Sequence, residues 1–160
     1  MDEIEKKYRI CKEPVNLENY EKSDLEQGYL SVNPVVRIRK DGDAYILTYK
    51  QRKGQEENLR VNHEVELPLS EESYVHLKDK IDGHLIKKTR YKIPIQAGLT
   101  AELDIFHGFY EGLKIVEVEF SSMEDAREFV PPDWFGEDVS GDHRYSNSSL
   151  STEEVKFWES

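Results

Sequence analysis

Charged residues recur at every second position in one segment after another of this chain. No other feature restricts the fold as much. Glu3, Glu5 and Lys7 form the first such run. Successive side chains of an extended strand point to opposite faces, so these three share a face and Ile4 takes the other. Arg37-x-Arg39, Glu64-x-Glu66, Lys88-x-Arg90, Glu102-x-Asp104 and Glu117-x-Glu119 repeat the arrangement, and Lys50 lies opposite Tyr45, Leu47 and Tyr49. The intervening positions are mostly Ile, Val, Leu, Tyr and Phe. The chain therefore reads as antiparallel strands, each with one charged and one apolar face. Pattern alone leaves two assemblies open. With the charges outward, the apolar faces pack together as a sandwich. With the charges inward, the sheet curls into a barrel with a polar lumen, and helices cover the apolar outside.

The 160 residues suit one domain over residues 1–160. At 11% aromatic residues the chain is too rich in core formers to be a disordered acidic tail. Its net charge of -11 opposes binding to a nucleic-acid backbone, so no nucleic-acid partner is expected. No apolar run is long enough to span a membrane, and the acidic N-terminal stretch is unlike a secretory signal. The expected setting is cytoplasmic, as a monomer or homodimer without a membrane partner. A lone Cys11 excludes an intrachain disulfide and reads as a small buried hydrophobe. The histidines lack zinc-site spacing, and there is neither a glycine-rich phosphate loop nor a G-x-S-x-G elbow. Phosphate or metal chemistry must therefore come from Lys, Arg, Asp and Glu.

In chain order, residues 12–25 read as a polar loop and residues 27–32 as a strand. Residues 35–39 and 44–50 form a hairpin across Asp41-Gly42. Residues 51–60 read as a charged, mobile loop, and residues 62–67 as a strand. Ser70 caps a helix predicted over residues 71–82, with Gly83 as its C-terminal cap. Strands follow at residues 85–93, 100–106 and 113–120. A short helix capped at Ser122 runs to Phe129, where Pro131-Pro132 stops it, and the tail is turn-rich.

The two signs of charge point to two tasks. Lys and Arg grip anionic oxygens, the arginines through forked hydrogen bonds, and clustered Glu holds hard divalent cations. A ligand with several phosphates and a metal meets both needs. Glu3-x-Glu5-x-Lys7 resembles the E-x-E-x-K signature of the CYTH domain, the triphosphate tunnel metalloenzyme superfamily. Gln27-Gly28-Tyr29-Leu30, the charged pairs above and Asp142-x-Arg144-Tyr145-x-Asn147 follow in the family's order over nearly the whole chain.

The resemblance implies a mainly β (α+β) fold, a closed eight-stranded antiparallel barrel forming a tunnel with a few helices outside. It implies Mg2+ or Mn2+ as cofactor and a small triphosphate as substrate. The short chain and the Gln27-to-Leu30 stretch are most similar to the inorganic triphosphatase branch. The activity implied is hydrolysis of tripolyphosphate to pyrophosphate and phosphate. Alternatives are a class IV adenylate cyclase, a thiamine triphosphatase that docks its ligand near Trp134 and Phe135, or a non-catalytic polyphosphate- or nucleotide-binding module. Carried over residue by residue, Glu3, Glu5, Glu64, Glu66, Glu117 and Glu119 are the metal candidates. Lys7, Arg37, Arg39, Lys50, Lys88, Arg90 and Arg144 are the phosphate candidates, and Lys7, Tyr29 and Glu119 the catalytic ones. Tyr29 is expected to place Lys7, and Asp104 to orient a cation. Where the family often has Arg, this chain has Asn62, so Arg60 is a candidate substitute.

Overall fold

The computed structural model describes the backbone of residues 2–56 and 59–159, and the side chains of these except at residues 2 and 52–60. Nine strands form one antiparallel sheet: β1 (Asp2–Ile10), β2 (Glu21–Val32), β3 (Val35–Asp41), β4 (Ala44–Glu56), β5 (Leu59–Pro68), β6 (Asp82–Pro94), β7 (Thr100–Phe106), β8 (Lys114–Phe120) and β9 (Phe135–Asp138). The order β5-β4-β3-β2-β6-β7-β8-β1 closes on itself because β1 also pairs with β5, Glu3 opposite Asn62 and Ile4 opposite Val61. The result is an eight-stranded barrel. β9 pairs with the later part of β1, at Tyr8 and Ile10. Among the described residues, no helix is long and apolar enough to cross a membrane.

The structure corrects the sequence reading at several elements. Residues 51–56 extend β4 rather than forming a loop. They lack apolar alternation, but a ladder that sets Arg52 opposite Asn62 and Gln55 opposite Arg60 holds them extended, with a register shift at Gly54. The helix α1 (Glu71–Lys78) is shorter than predicted, although Ser70 caps it by accepting from the Ser73 amide. Gly83 belongs to β6 and not to a helix end. β2 starts at Glu21, inside the expected loop, and β9 was not foreseen. Cys11 is exposed rather than buried, with Sγ 3.3 Å from the Asp133 carbonyl oxygen.

The apolar residues form two clusters on opposite sides of the sheet. Tyr8, Leu103, Val116, Val118 and Phe120 face outward and are covered by Ala126 of α2 (Met123–Glu128) and by Trp134 and Phe135. Trp134 and Phe135 are thus core residues. The second cluster lies on the lumen side. Phe106 is the register partner of Lys88 and Ile115 that of Asp104, so both share a face with charged residues. Around them pack Tyr29 and Ile86, together with Val139, Tyr145 and Leu150 from the chain after β9. That chain, ending in α3 (Asn147–Ser151) and a turn carrying Trp158, fills one end of the lumen.

This plug is attached to β6 at Gly83. Its φ is +72°, and a Cβ there would sit 2.3 Å from the Ser151 carbonyl oxygen. Gly98 has the same φ but nothing within 4 Å. Gly98→Ala should cost about 1 kcal/mol through left-handed strain alone. Gly83→Ala should cost roughly 2 kcal/mol more, because backbone must move to admit the methyl group. Urea unfolding of the two variants measures the difference.

Candidate active site

The strand order sorts the lumen charges by sign. β8, β1 and β5 are consecutive around the barrel and carry Glu117, Glu119, Glu3, Glu5, Glu64 and Glu66. β3, β2 and β6 are consecutive on the other side and carry Arg37, Arg39, Lys88 and Arg90. Between the two arcs lies a cavity of about 250 Å³. Every barrel strand contributes a side chain to it, and Ser146, Asn147 and Ser148 of the plug close one side.

The cations differ in how they are paired. Lys50 of β4 bridges Glu3 at 3.0 Å and Glu64 at 3.3 Å. Lys7 faces Glu117 at 3.4 Å and donates to the Tyr145 carbonyl at 3.0 Å. Arg90 forks onto Asp104 through bonds of 2.7 and 2.9 Å. Lys88 is fully buried, 2.7 Å from Asp104 Oδ2, the oxygen that Arg90 Nη2 also binds, and 3.3 Å from Asn147 Oδ1. Arg37 and Arg39 have no carboxylate within 4.0 Å among the described residues. Their partners are neutral: Thr48 for Arg37 and Gln27 for Arg39.

The carboxylates are also unequal. Burial pushes the Glu5 carboxyl up to about 8, and Glu117 and Glu3 add repulsion that Lys50 and Lys7 only partly offset. Burial penalises ionised Glu117 as well, yet Lys7 and Arg90 outweigh it, and Glu5 supplies a hydrogen bond, so Glu117 stays well below the usual range. The pair thus shares one proton, held in the hydrogen bond between the two carboxyl groups. Glu119 is raised by partial burial and by Glu3, Glu64 and Glu102 around it. It makes no ion pair or hydrogen bond among the described residues. Asp104 is lowered because Arg90 and Lys88 outweigh its burial.

The sequence that builds this barrel matches the CYTH domain over residues 1–153. This chain belongs to the CYTH domain family. The inorganic triphosphatase of Nitrosomonas europaea is 34% identical over 154 residues, covering 94% of this chain and 97% of that one. The inorganic triphosphatase of Acetivibrio thermocellus is 37% identical over 127 residues, covering 78% and 77%. A solved crystal structure of an inorganic triphosphatase superposes with a TM-score of 0.70 at 33% identity, over 95% of each chain.

Most of the CYTH motif residues meet in this one cavity. Glu3, Glu5, Lys7, Tyr29, Arg37, Arg39, Lys50, Glu64, Glu66, Arg90, Glu117 and Glu119 all line it. Lys88 lies behind the lining on Asp104 and Asn147. Arg144 is not brought in: its exposed guanidinium sits on Asp142 at 2.6 Å and over the Phe157 ring. The side chain of Arg60 lies outside the described residues. Asn62 is buried in the lumen and donates to Glu3 Oε1 at 3.3 Å, so it orients a carboxylate. In the sequence Asn62 stands out only as a departure, Gln27 only as part of the Gln27-to-Leu30 stretch, and Thr48 not at all. All three are uncharged, so a search for alternating charge passes over them.

CYTH enzymes are metal-dependent, and the donor set here suits a hard cation. All the acidic side chains lining the cavity are glutamates; burial and the charges of Glu117 and Glu3 raise Glu5, and burial with Glu3, Glu64 and Glu102 raises Glu119, a repulsion that a cation relieves. Among the described residues, no three of them are already gathered into a cation cage. Lys50 holds Glu3 and Glu64 instead, so a metal would compete with an internal ammonium.

The raised Glu5 pKa has a signed consequence for stability. Below the ordinary value of 4.5 the carboxyl is protonated in both the folded and the unfolded chain. Between 4.5 and about 8 only the folded chain keeps the proton, so the stability it lends drains away as pH rises through that window. In metal-free protein, Glu5→Gln should flatten the decline in unfolding free energy across the window relative to wild type, as read by urea titrations at stepped pH.

Proposed function

We propose that this protein hydrolyses inorganic tripolyphosphate to pyrophosphate and phosphate, with Mg2+ or Mn2+ as cofactor. The observation that carries the reading is the placement of two arginines across one small cavity from a carboxylate arc that includes Glu119, the arginines without an acidic partner and Glu119 without a cationic one among the described residues. The lining contains one aromatic ring, Tyr29, and one aliphatic side chain, Val35. That leaves little surface for a nucleoside or a thiazolium and favours a bare phosphate chain. Two curated relatives named inorganic triphosphatase support the same choice.

In this scheme Arg37, Arg39 and Arg90 grip the phosphate chain, with Lys7 and Lys50 at the junction between the arcs. Glu3, Glu5, Glu64, Glu66, Glu117 and Glu119 are the candidate metal holders. Bound there, the metal neutralises phosphate charge and helps supply the nucleophile. The protein's own part is positioning and charge complementarity, which dominate phosphoryl transfer. Water attacks the terminal phosphorus in line, the bridging P–O bond breaks, and pyrophosphate leaves with the bond's electron pair. Glu119, without a partner to hold it, orients the attacking water. Arg90, and after it Lys88, keep Asp104 charged, although burial lowers Lys88 itself to about 7, and Asp104 in turn sets the Arg90 fork.

Purified protein incubated with Mg2+ or Mn2+ and tripolyphosphate, ATP or thiamine triphosphate in parallel tests the reading through product analysis. Phosphate and pyrophosphate should appear from tripolyphosphate with little turnover of the other two. Cyclic AMP from ATP would reassign the reaction. Glu119→Gln should lower tripolyphosphate turnover about 100-fold or more, with an unchanged melting temperature.

A further inference from the structure

Gln27 and Thr48 are both fully buried within the barrel. Gln27 is the β2 register partner of Arg39, and Thr48 the β4 register partner of Arg37, so both project to the face that carries the arginines. Arg39 Nε donates to Gln27 Oε1 at 3.2 Å, and Arg37 Nη2 donates to Thr48 Oγ1 at 3.3 Å; the Thr48 hydroxyl in turn donates to Glu66 Oε2 at 3.5 Å, so a neutral hydroxyl stands between Arg37 and that carboxylate. The amide orientation of Gln27 follows from chemistry. A guanidinium offers only donors, so the carboxamide oxygen must face it. The Gln27 Nε2 group is thereby turned away and, though buried, has no partner. Arg37 Nε is likewise buried without a partner.

Unpaired buried donors are costly, and each calls for an explanation. Here they coincide with positive charge that is only partly compensated. Burial opposes the ionisation of Arg39, as do the nearby charges of Arg37 and Arg90, and Asp104 and Tyr29 offset them only in part. Arg90, by contrast, is neutralised by a forked carboxylate, and Lys50 and Lys7 face glutamates. A carboxylate in place of Gln27 would relieve the repulsion on Arg39 and would be the better choice for stability alone. A neutral amide fixes the guanidinium plane through Nε and leaves its charge unspent.

We propose that Gln27 and Thr48 are positioning residues for the anion grip: they hold Arg39 and Arg37 in register by hydrogen bonds while withholding the negative charge that would satisfy them. The two orphaned donors, Gln27 Nε2 and Arg37 Nε, mark the same side of the lumen as short of acceptors. Arg37 and Arg39 line the cavity, and the ligand class that meets their charge there is a phosphate chain with several anionic oxygens. This inference rests on the reading of the cavity as a tripolyphosphate site.

The decisive variant is Gln27→Glu, which keeps the shape and adds one negative charge. Tripolyphosphate binding to metal-free protein, by calorimetry, should weaken about 10-fold or more. The KM should rise more than kcat falls, while the melting temperature of the unliganded protein rises. A purely structural glutamine would show the opposite pairing, with stability and affinity falling together. That result would overturn the proposal, as would unchanged affinity. Thr48→Val removes the other brace without adding charge. It should raise KM several-fold, and Thr48→Ser, which restores the hydroxyl, should recover most of the loss; failure of Thr48→Ser to recover it overturns the role of Thr48. Gln27→Met keeps the volume and loses only the hydrogen bond, and should weaken binding less than Gln27→Glu. Equal losses from both would remove the charge argument. If wild-type protein fails to bind tripolyphosphate, the substrate reading itself is wrong. If wild-type binds and Arg39→Ala does not, while Gln27→Glu matches wild type, the substrate reading stands and only this inference fails.

Discussion

Residues 2–5 of β1 pair with residues 60–63 of β5, and this short ladder closes the barrel. Without it β1 and β5 would be exposed sheet edges, and the glutamates on them would sit in water at opposite ends of an open sheet. With it, Glu3 lies beside Asn62 and within reach of Lys50, which also holds Glu64. Closure therefore creates both the site and the electrostatic penalty that comes with it. Glu5 is buried beside Glu117 and Glu3, and burial with their charge drives it to retain its proton near neutral pH.

The penalty is met differently on the two sides of the lumen. On the acidic side, ammonium groups from Lys7 and Lys50 are interposed, and one carboxyl is protonated. Where β6 meets β7, Asp104 serves two cations at once. Arg90 binds both of its oxygens and Lys88 shares Oδ2, with the lysine sealed beside Phe106. A buried pair of this kind adds little net stability, but removal of one partner strands a charge, at a cost of about 3–5 kcal/mol. Such a triad is rigid. Arg37 and Arg39 are treated in the other way, with neutral partners and residual charge, and so remain receptive to an anion. The lumen thus separates cations that maintain the structure from cations that are available to a ligand.

The plug that fills one end of the barrel ties this arrangement to the chain terminus. Ser140 Oγ accepts from the Lys7 amide, the Tyr145 carbonyl receives the Lys7 ammonium, and Asn147 reaches Lys88. Tyr110 anchors the same segment by donating to the Leu150 carbonyl. Two lysines that differ in role are therefore oriented partly by backbone and amide groups well over a hundred and about sixty residues further along the chain.

The alternation of Glu3, Glu5 and Lys7, and of the pairs that follow, determined by itself that the chain would form strands with one charged face, because a strand has a side-chain period of two. Motif order determined the family. The caps at Ser70 and Ser122 were legible for the same local reason, a hydroxyl three residues ahead of an amide it can accept from. Tertiary structure alone decided the rest. Residues 51–56 carry no alternation and are extended only because a partner strand pairs with them. The apolar half of the lumen could not be read, because Phe106 and Ile115 look like ordinary core residues until the register sets them opposite Lys88 and Asp104. Arg144 bears the right charge in the right motif, but Asp142 two residues away claims it first. Whether a charge is paired depends on which strands become neighbours around the closed sheet, and no local pattern contains that information. This is why the sequence named Arg37, Arg39 and Lys88 as equals, and only the fold set the two arginines apart from a lysine buried against its aspartate.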